Sequence, residues 1–278
     1  MTEDLDPRPV AIAVAPNGGR RTKADHPAIP LTAAELARTA AECLEAGAAM
    51  IHLHVRKPDG THLLDADAYR EAIAAIRSAV GDRIVVQMTT EAMSIYARPE
   101  QIAVLKAVRP EAASLALREL APDKAAEPDF FAALAWMKRE RVMPQIILYD
   151  PSEAIRLDGM IERGDLPWKN IPVLYVLGRY TASQTSRPRD LLPFIAPDMP
   201  RFATWSVCAF GRHEAACVTT AALLGGHVRV GFENNLFLPD GSPSPSNAGL
   251  VRTVADAIQA LGIVRCDAAG LRTIFKGG

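Results

Sequence analysis

Along this chain, short apolar runs alternate with longer stretches whose apolar residues recur at helical spacing. The short runs are bounded by Gly, Pro, Asn and Asp, which reads as buried strands punctuated by turns. The first strand covers residues 10–15 and ends in Pro16-Asn17-Gly18-Gly19. The helix after it is marked at both ends. Thr32 with Glu35 three residues on is a capping box, and Gly47 closes residues 33–46. A second strand spans 50–56, and Asp65 caps a helix over 66–80 that Gly81 ends.

The alternation continues to the end of the chain. Strands are predicted at 84–89, 112–117, 144–149, 173–177, 202–208 and 228–232. The helices between them fall at 100–108, stopped by Pro110, at 129–140, and from Ser152 or Glu153 to near Gly164. A short helix lies inside the Pro-rich piece 187–200, and longer ones cover 214–224 and 247–261. Residues 1–9 read as a short polar, acidic N-terminal extension, and those from Gly262 as a short C-terminal extension. Strands each followed by a helical segment, without a linker, predict an α/β fold, a (β/α)8 TIM barrel forming one domain over residues 1–278. A doubly wound sheet would carry a Gly-rich phosphate turn after the first strand, and Gly18-Gly19 lacks that spacing.

The second strand changes the picture from architecture to chemistry. It reads Met50-Ile51-His52-Leu53-His54-Val55-Arg56. Alternation along a strand puts His52, His54 and Arg56 on one face. Two neighbouring imidazoles on a rigid strand can share one metal ion, and neutral imidazole suits zinc. Barrel closure brings the eighth strand within one strand of the second, so Glu233 can approach the pair. Two His and one carboxylate leave coordination positions open, the mark of a catalytic zinc and not a structural one.

Other polar groups collect where the strands end, which is the reactive face of a barrel. They include Asn17, Thr89, Glu91, Ser114, Glu119, Tyr149, Arg179, Arg229 and Asn234. Several are expected to be solvated bystanders, and Glu91 and Glu119 stand open as further ligands or bases. His26, His62 and His213 fall in loops or at helix starts and are expected to be solvated.

Composition narrows the class. With 49% hydrophobic and 23% charged residues the chain can fill a sizeable core. A net charge of −1 leaves no electrostatic footprint for nucleic acid. Four cysteines without a CxxC pair fit a reduced, cytoplasmic protein. No apolar run approaches the ~20 residues that span a bilayer, so no membrane partner is expected.

Taken together the motifs resemble the β-keto acid cleavage enzymes, the family of 3-keto-5-aminohexanoate cleavage enzyme. The resemblance runs from Ala15-Pro16-Asn17-Gly18 and His26-Pro27-Ala28-Ile29-Pro30, through the His-x-His-x-Arg strand, to Gly225-Gly226-His227-Val228-Arg229-Val230-Gly231-Phe232-Glu233. It implies a Zn2+-dependent barrel enzyme that condenses a β-keto acid with acetyl-CoA as co-substrate. Acetoacetate and a new CoA thioester are released. By similarity His52, His54 and Glu233 hold the metal, Thr89 and Ser114 take the family's hydroxyl positions against substrate, and Arg229 supports the base. Asn17 is expected beside them, and a homotetramer follows from the same resemblance.

Two departures stand out. The family base is an aspartate directly after the metal carboxylate, and here that position is Asn234, which cannot accept a proton at neutral pH. Glu91, at the rim of the third strand, is the candidate replacement, its alternative reading being an ordinary rim carboxylate. The family glutamate that meets a substrate ammonium falls at about Ile147, which argues against an amino-keto acid. Another barrel metalloenzyme, a hydrolase or an aldolase, and a non-catalytic relative that binds metal and keto acid are the competing readings. The sequence leaves open which keto acid is used and where CoA lies; Arg20, Arg21 and Lys23 make a candidate phosphate-facing loop.

Overall fold

The structure, a computed structural model, describes residues 8–276. Residues 1–7 of the expected N-terminal extension and the last two residues of the chain lie outside the described residues. Eight parallel strands close into a barrel, as the alternation predicts. They are β1 (Val10–Val14), β2 (Met50–Leu53), β5 (Val85–Thr89), β6 (Ala112–Ala116), β7 (Met143–Leu148), β8 (Val173–Leu177), β9 (Trp205–Ala209) and β10 (His227–Val230). Closure is direct: β10 pairs with β1, with Val14 opposite Val230. No helix among the described residues is long and apolar enough to cross a membrane.

The helices wrap the outside for the reasons the sequence gives. Helix α1 (Ala33–Ala46) begins with the reciprocal Thr32–Glu35 capping box and ends on Gly47 at φ 109°, a left-handed position that suits glycine. Helix α2 (Ala66–Val80) starts where Asp65 accepts the Ala68 N–H. Helices α3 (Arg98–Val108), α5 (Glu127–Glu140), α6 (Pro151–Glu162), α7 (Glu214–Leu223) and α8 (Asn247–Ala260), with the short α4 (Leu117–Leu120) and a 3-10 turn (Pro188–Phe194), complete the ring. One apolar cluster fills the space between strands and helices, with Ile12, Ile51, Val86, Leu115, Leu148 and Val207 facing Leu36, Ile76, Phe130 and Val251.

Two features depart from the sequence reading. The second strand leaves the barrel after Leu53. Val55–Arg56 (β3) turns out to pair antiparallel with His62–Leu63 (β4) as a small side hairpin. The C-terminal piece is not a loose extension: Arg265–Cys266 (β11) adds to β1, and α9 (Ala268–Lys276) folds under the barrel. There Leu271 and Phe275 pack on Ala11, Ala13, Met50 and Val85 and close the end opposite the strand tips. Arg272 fixes the helix by donating to Glu111 at 2.5 Å and to the Asp82 carbonyl at 2.7 Å. Helical spacing of Leu271, Ile274 and Phe275 was the available signal.

The capping box gives a test of the electrostatics. Partial burial pushes the Glu35 carboxyl up, but the Lys23 ammonium at 2.7 Å and the Leu31 and Thr32 N–H groups outweigh it and hold the pKa at about 2, below its ordinary 4.5. A depressed acid stabilises the fold above its unfolded value and loses that contribution as pH falls through the folded one. Glu35→Gln is expected to cost about 0.5–1 kcal/mol at pH 7 in urea unfolding. The difference from the parent chain should shrink between pH 4.5 and 2; a constant difference across that window would assign the loss to packing instead.

A candidate metal-binding active site

At the strand tips, His52 on β2, His54 just beyond it and Glu233 after β10 converge. Their nearest ligand atoms all lie within 4.8 Å of one another. Glu233 Oε2 is 3.6 Å from His52 Nε2 and 3.4 Å from His54 Nε2. Ligands about 2.0–2.1 Å from a tetrahedral zinc are about 3.4 Å apart, so the spacing fits one ion. Burial pushes the His52 pKa down to about 3, with the Arg229 charge adding to it, which keeps the imidazole neutral as a metal requires. Burial raises the Glu233 carboxyl, yet Arg229 and the two imidazoles outweigh it and hold it well below the usual range. His54 Nε2 and Glu233 Oε2 are buried without a hydrogen-bond partner, as atoms awaiting a cation would be.

The scaffold behind these ligands is built from hydrogen bonds that fix orientation. The side-chain amide oxygen of Gln87, Oε1, lies 2.8 Å from His52 Nδ1, so that nitrogen carries the proton and Nε2 is left for metal. The Gln87 amide donates to Gln145 Oε1 at 3.2 Å, and Gln145 donates to Ser206 Oγ at 3.2 Å. This relay crosses the barrel interior from β5 to β9. Asn17 does for His54 what Gln87 does for His52, through the backbone: it accepts the His54 N–H and donates to the His54 carbonyl at 2.8 Å. Its other amide hydrogen goes to the Pro30 carbonyl, so Asn17 lines the cavity but spends its amide on positioning.

The Glu233 loop is held from below. Glu214, buried at the start of α7, accepts the Gly231 N–H at 3.1 Å and the Asn235 amide at 3.2 Å; burial pushes its pKa up to about 8 against those bonds. Gly231, at φ 137°, passes so close to β1 that a Cβ would sit 2.3 Å from the Ala15 carbonyl oxygen. A Cβ on Gly18 would meet the Glu233 side chain at 2.7 Å. Arg229, buried, donates to Glu233 Oε1 at 3.0 Å and to Cys208 Sγ at 3.2 Å, while its Nε and Nη1 have no partner.

The cluster opens on a cavity of about 740 Å³, mouth included. Thr89 and Ser114 face it side by side in register; the Ser114 hydroxyl is unpartnered and Thr89 Oγ1 accepts the Glu91 N–H. Glu91 also faces it, with one carboxylate oxygen 3.7 Å from His54 Nδ1 and the other 3.9 Å from Arg179 Nη2. Glu119 is turned away, accepting from Ala92 and Gln101 as a prop for the loop after β5. Asn234 is wholly buried with both amide atoms unpartnered, and it does not line the cavity.

A model of the β-keto acid cleavage enzymes matches residues 9–276. The chain belongs to this family. It is 33% identical over 263 residues to a 3-keto-5-aminohexanoate cleavage enzyme of Fusobacterium nucleatum, covering 90% of this chain and 92% of that one. It is 32% identical over 255 residues to a 3-oxoadipate:acetyl-CoA acetyltransferase of Cupriavidus necator, covering 89% and 88%. Among solved structures, a binary complex of ObcA with oxaloacetate superposes with a TM-score of 0.71 at 17% identity, over 90% of this chain and 67% of that one.

Within this β-keto acid cleavage enzyme family member, several expectations need correction. Arg56 does not share the ligand face: its guanidinium donates to the Asn17, Gly18, Arg21 and Gly60 carbonyls and clamps the loop after β1. His62 is buried, not solvated, with Nε2 at 2.8 Å from the Glu91 carbonyl and its ring packed toward His54. Of the basic loop, Arg21 is engaged with the Phe232 carbonyl and Lys23 with Glu35, which leaves Arg20 exposed at the cavity edge. Gln87, Gln145 and Glu214 were missed. Polar residues inside otherwise apolar strands, and an acid opening a buried helix, were the signals that could have found them.

The relay predicts a metal-affinity effect without a change of ligand. Gln87→Leu removes the acceptor that fixes the His52 tautomer, and affinity for a divalent cation is expected to fall about 10–100-fold. Competition with a chromophoric chelator reads this directly; an unchanged affinity would mean that Gln87 only packs.

Proposed function

We propose that the protein is a zinc-dependent β-keto acid cleavage enzyme that exchanges acyl groups between a β-keto acid and acetyl-CoA. The observation that carries this reading is the convergence of unpartnered buried atoms of His54, Glu233, Arg229 and Ser114 on one cavity. Family membership and relatives named for acetyl-CoA transfer support it. A bound divalent cation supplies Lewis acidity, which acidifies the C2 proton of a β-keto acid.

The residues then have defined tasks. Glu91 takes the C2 proton, in the place of the carboxylate that Asn234 cannot supply. Its carboxylate stands beside the His54 ring and faces the cavity, while Asn234 is sealed in the protein. Arg229 steadies Glu233 and keeps two donors for a substrate oxyanion. Thr89 and Ser114 present hydroxyls to the same space. The C2 carbanion attacks the acetyl carbonyl carbon, forming the new C–C bond and expelling CoA thiolate as the C–S bond breaks. The thiolate then adds to C3 of the original keto acid, the C2–C3 bond breaks, C3 leaves as the new acyl-CoA, and the electron pair on C2 takes back the proton held by Glu91. Acetoacetate leaves with the old C1 and C2, so atoms and electrons balance. A cytoplasmic homotetramer is part of the same reading, and the four buried free cysteines suit a reducing compartment.

Zinc-loaded protein is expected to consume acetyl-CoA with a β-keto acid and to release acetoacetate, measured by thioester chromatography, and chelation should abolish this. CoA-independent hydrolysis, or tight binding without turnover, would overturn the proposal. Glu91→Gln is expected to lower kcat about 10²–10⁴-fold with metal content unchanged; full turnover in that variant would remove Glu91 as the base.

A further inference from the structure

The cavity has two chemically distinct halves. The ion cluster, Glu91 and Arg229 occupy the side made by β1, β2, β5 and β10. The facing side, from β6 to β9, presents Ala116, Ile147, Val176 and Phe210, each no more than 7% exposed and forming one apolar cluster. Leu174 and Cys208, both fully buried, back this wall. Tyr149 flanks it with an aromatic ring.

Two cations stand near this wall. Arg118 lies over the Tyr149 ring at 4.4 Å, but its guanidinium donates to Glu153 at 2.7 Å and does not line the cavity. Arg179 does line it, packed over the Phe210 ring at 5.3 Å, and faces the Glu91 carboxylate at 3.9 Å. The cavity's carboxylates, Glu91 and Glu233, both stand on the ion side. A substrate with its keto acid end at the ion cluster therefore points its far end at hydrocarbon. An ammonium there would find no counter-charge and would lose its water shell without compensation, and a carboxylate would have to draw Arg179 from Glu91 or reach Arg20 at the cavity edge.

Resting on the function proposed above, we infer that the substrate is a β-keto acid with an uncharged hydrocarbon tail, seated on Ile147, Val176 and Phe210, and that the released thioester is a simple alkanoyl-CoA. This goes further than the exclusion of an amino-keto acid, since it also places the dicarboxylic class below the alkyl one.

The test compares three keto acids of similar length on the zinc-loaded enzyme with acetyl-CoA: 3-oxohexanoate, 3-oxoadipate and 3-keto-5-aminohexanoate. The alkyl compound is expected to exceed each charged one by about 100-fold in kcat/KM. A charged compound that equals or exceeds it overturns the inference and leaves the proposed function standing. Ile147→Glu should reverse the order between the alkyl and the ammonium compounds, while Ile147→Val should preserve it. If no compound turns over, calorimetric binding to the same protein supplies the ranking. The alkyl compound bound most tightly supports the inference, any other order overturns it, and absence of all binding removes the function proposal as well.

Discussion

The distance between Glu233 and the two imidazoles is set by the closure of the barrel. His52 and Glu233 are 181 positions apart in the chain, and no local element links them. They meet because β10 and β2 flank the same strand, β1, with Val14 in register with Val230 on one side and Ile51 on the other. Nothing can be inserted into that spacing: a Cβ on Gly231 would strike the Ala15 carbonyl, and one on Gly18 would strike Glu233 itself. The backbone of β1 thus acts as a spacer whose width decides whether one ion can touch all three side chains.

A buried cluster of this kind is costly to assemble, because charged and polar atoms lose water before they gain a ligand. The fold limits that cost with neutral hydrogen bonds. Gln87, Gln145 and Ser206 orient one imidazole, Asn17 holds the backbone of the other, and Glu214 with Asn235 braces the loop that carries Glu233. The atoms still lacking partners after this accounting are those that face the cavity, together with those of Asn234 and the inner nitrogen of His62. Rigidity in the surroundings and unmet valence at the centre are two sides of one arrangement.

Much of this was legible from the chain. The strand–helix alternation, the Thr32–Glu35 box and the His-x-His spacing depend on neighbours in sequence, so they could be read without coordinates. The approach of Glu233 to the histidines could also be read, because barrel closure constrains which strands are adjacent. The inner relay could not. Gln87 and Gln145 look like ordinary strand residues, and their partnership depends on register across strands 58 residues apart. His62 and Arg56 were misjudged for a related reason: alternation was extended through a strand that in fact breaks at His54, where a side hairpin begins. The C-terminal helix was overlooked because its partners lie on strands at the opposite end of the sequence.

The split of the cavity between two arcs of the barrel has an evolutionary corollary. One arc carries the candidate ion cluster and Glu91, while the other carries the apolar wall beside Ser114 and the far members of the Gln87–Gln145–Ser206 relay. Substitutions confined to Ala116, Ile147, Val176 and Phe210 can therefore change what the wall welcomes without touching an ion ligand or the relay. Relatives named for an amino-keto acid and for a dicarboxylic keto acid are each about as similar to this chain as the other. Divergence of that sort is what a fold permits when its reagent and its recognition surface are separately heritable.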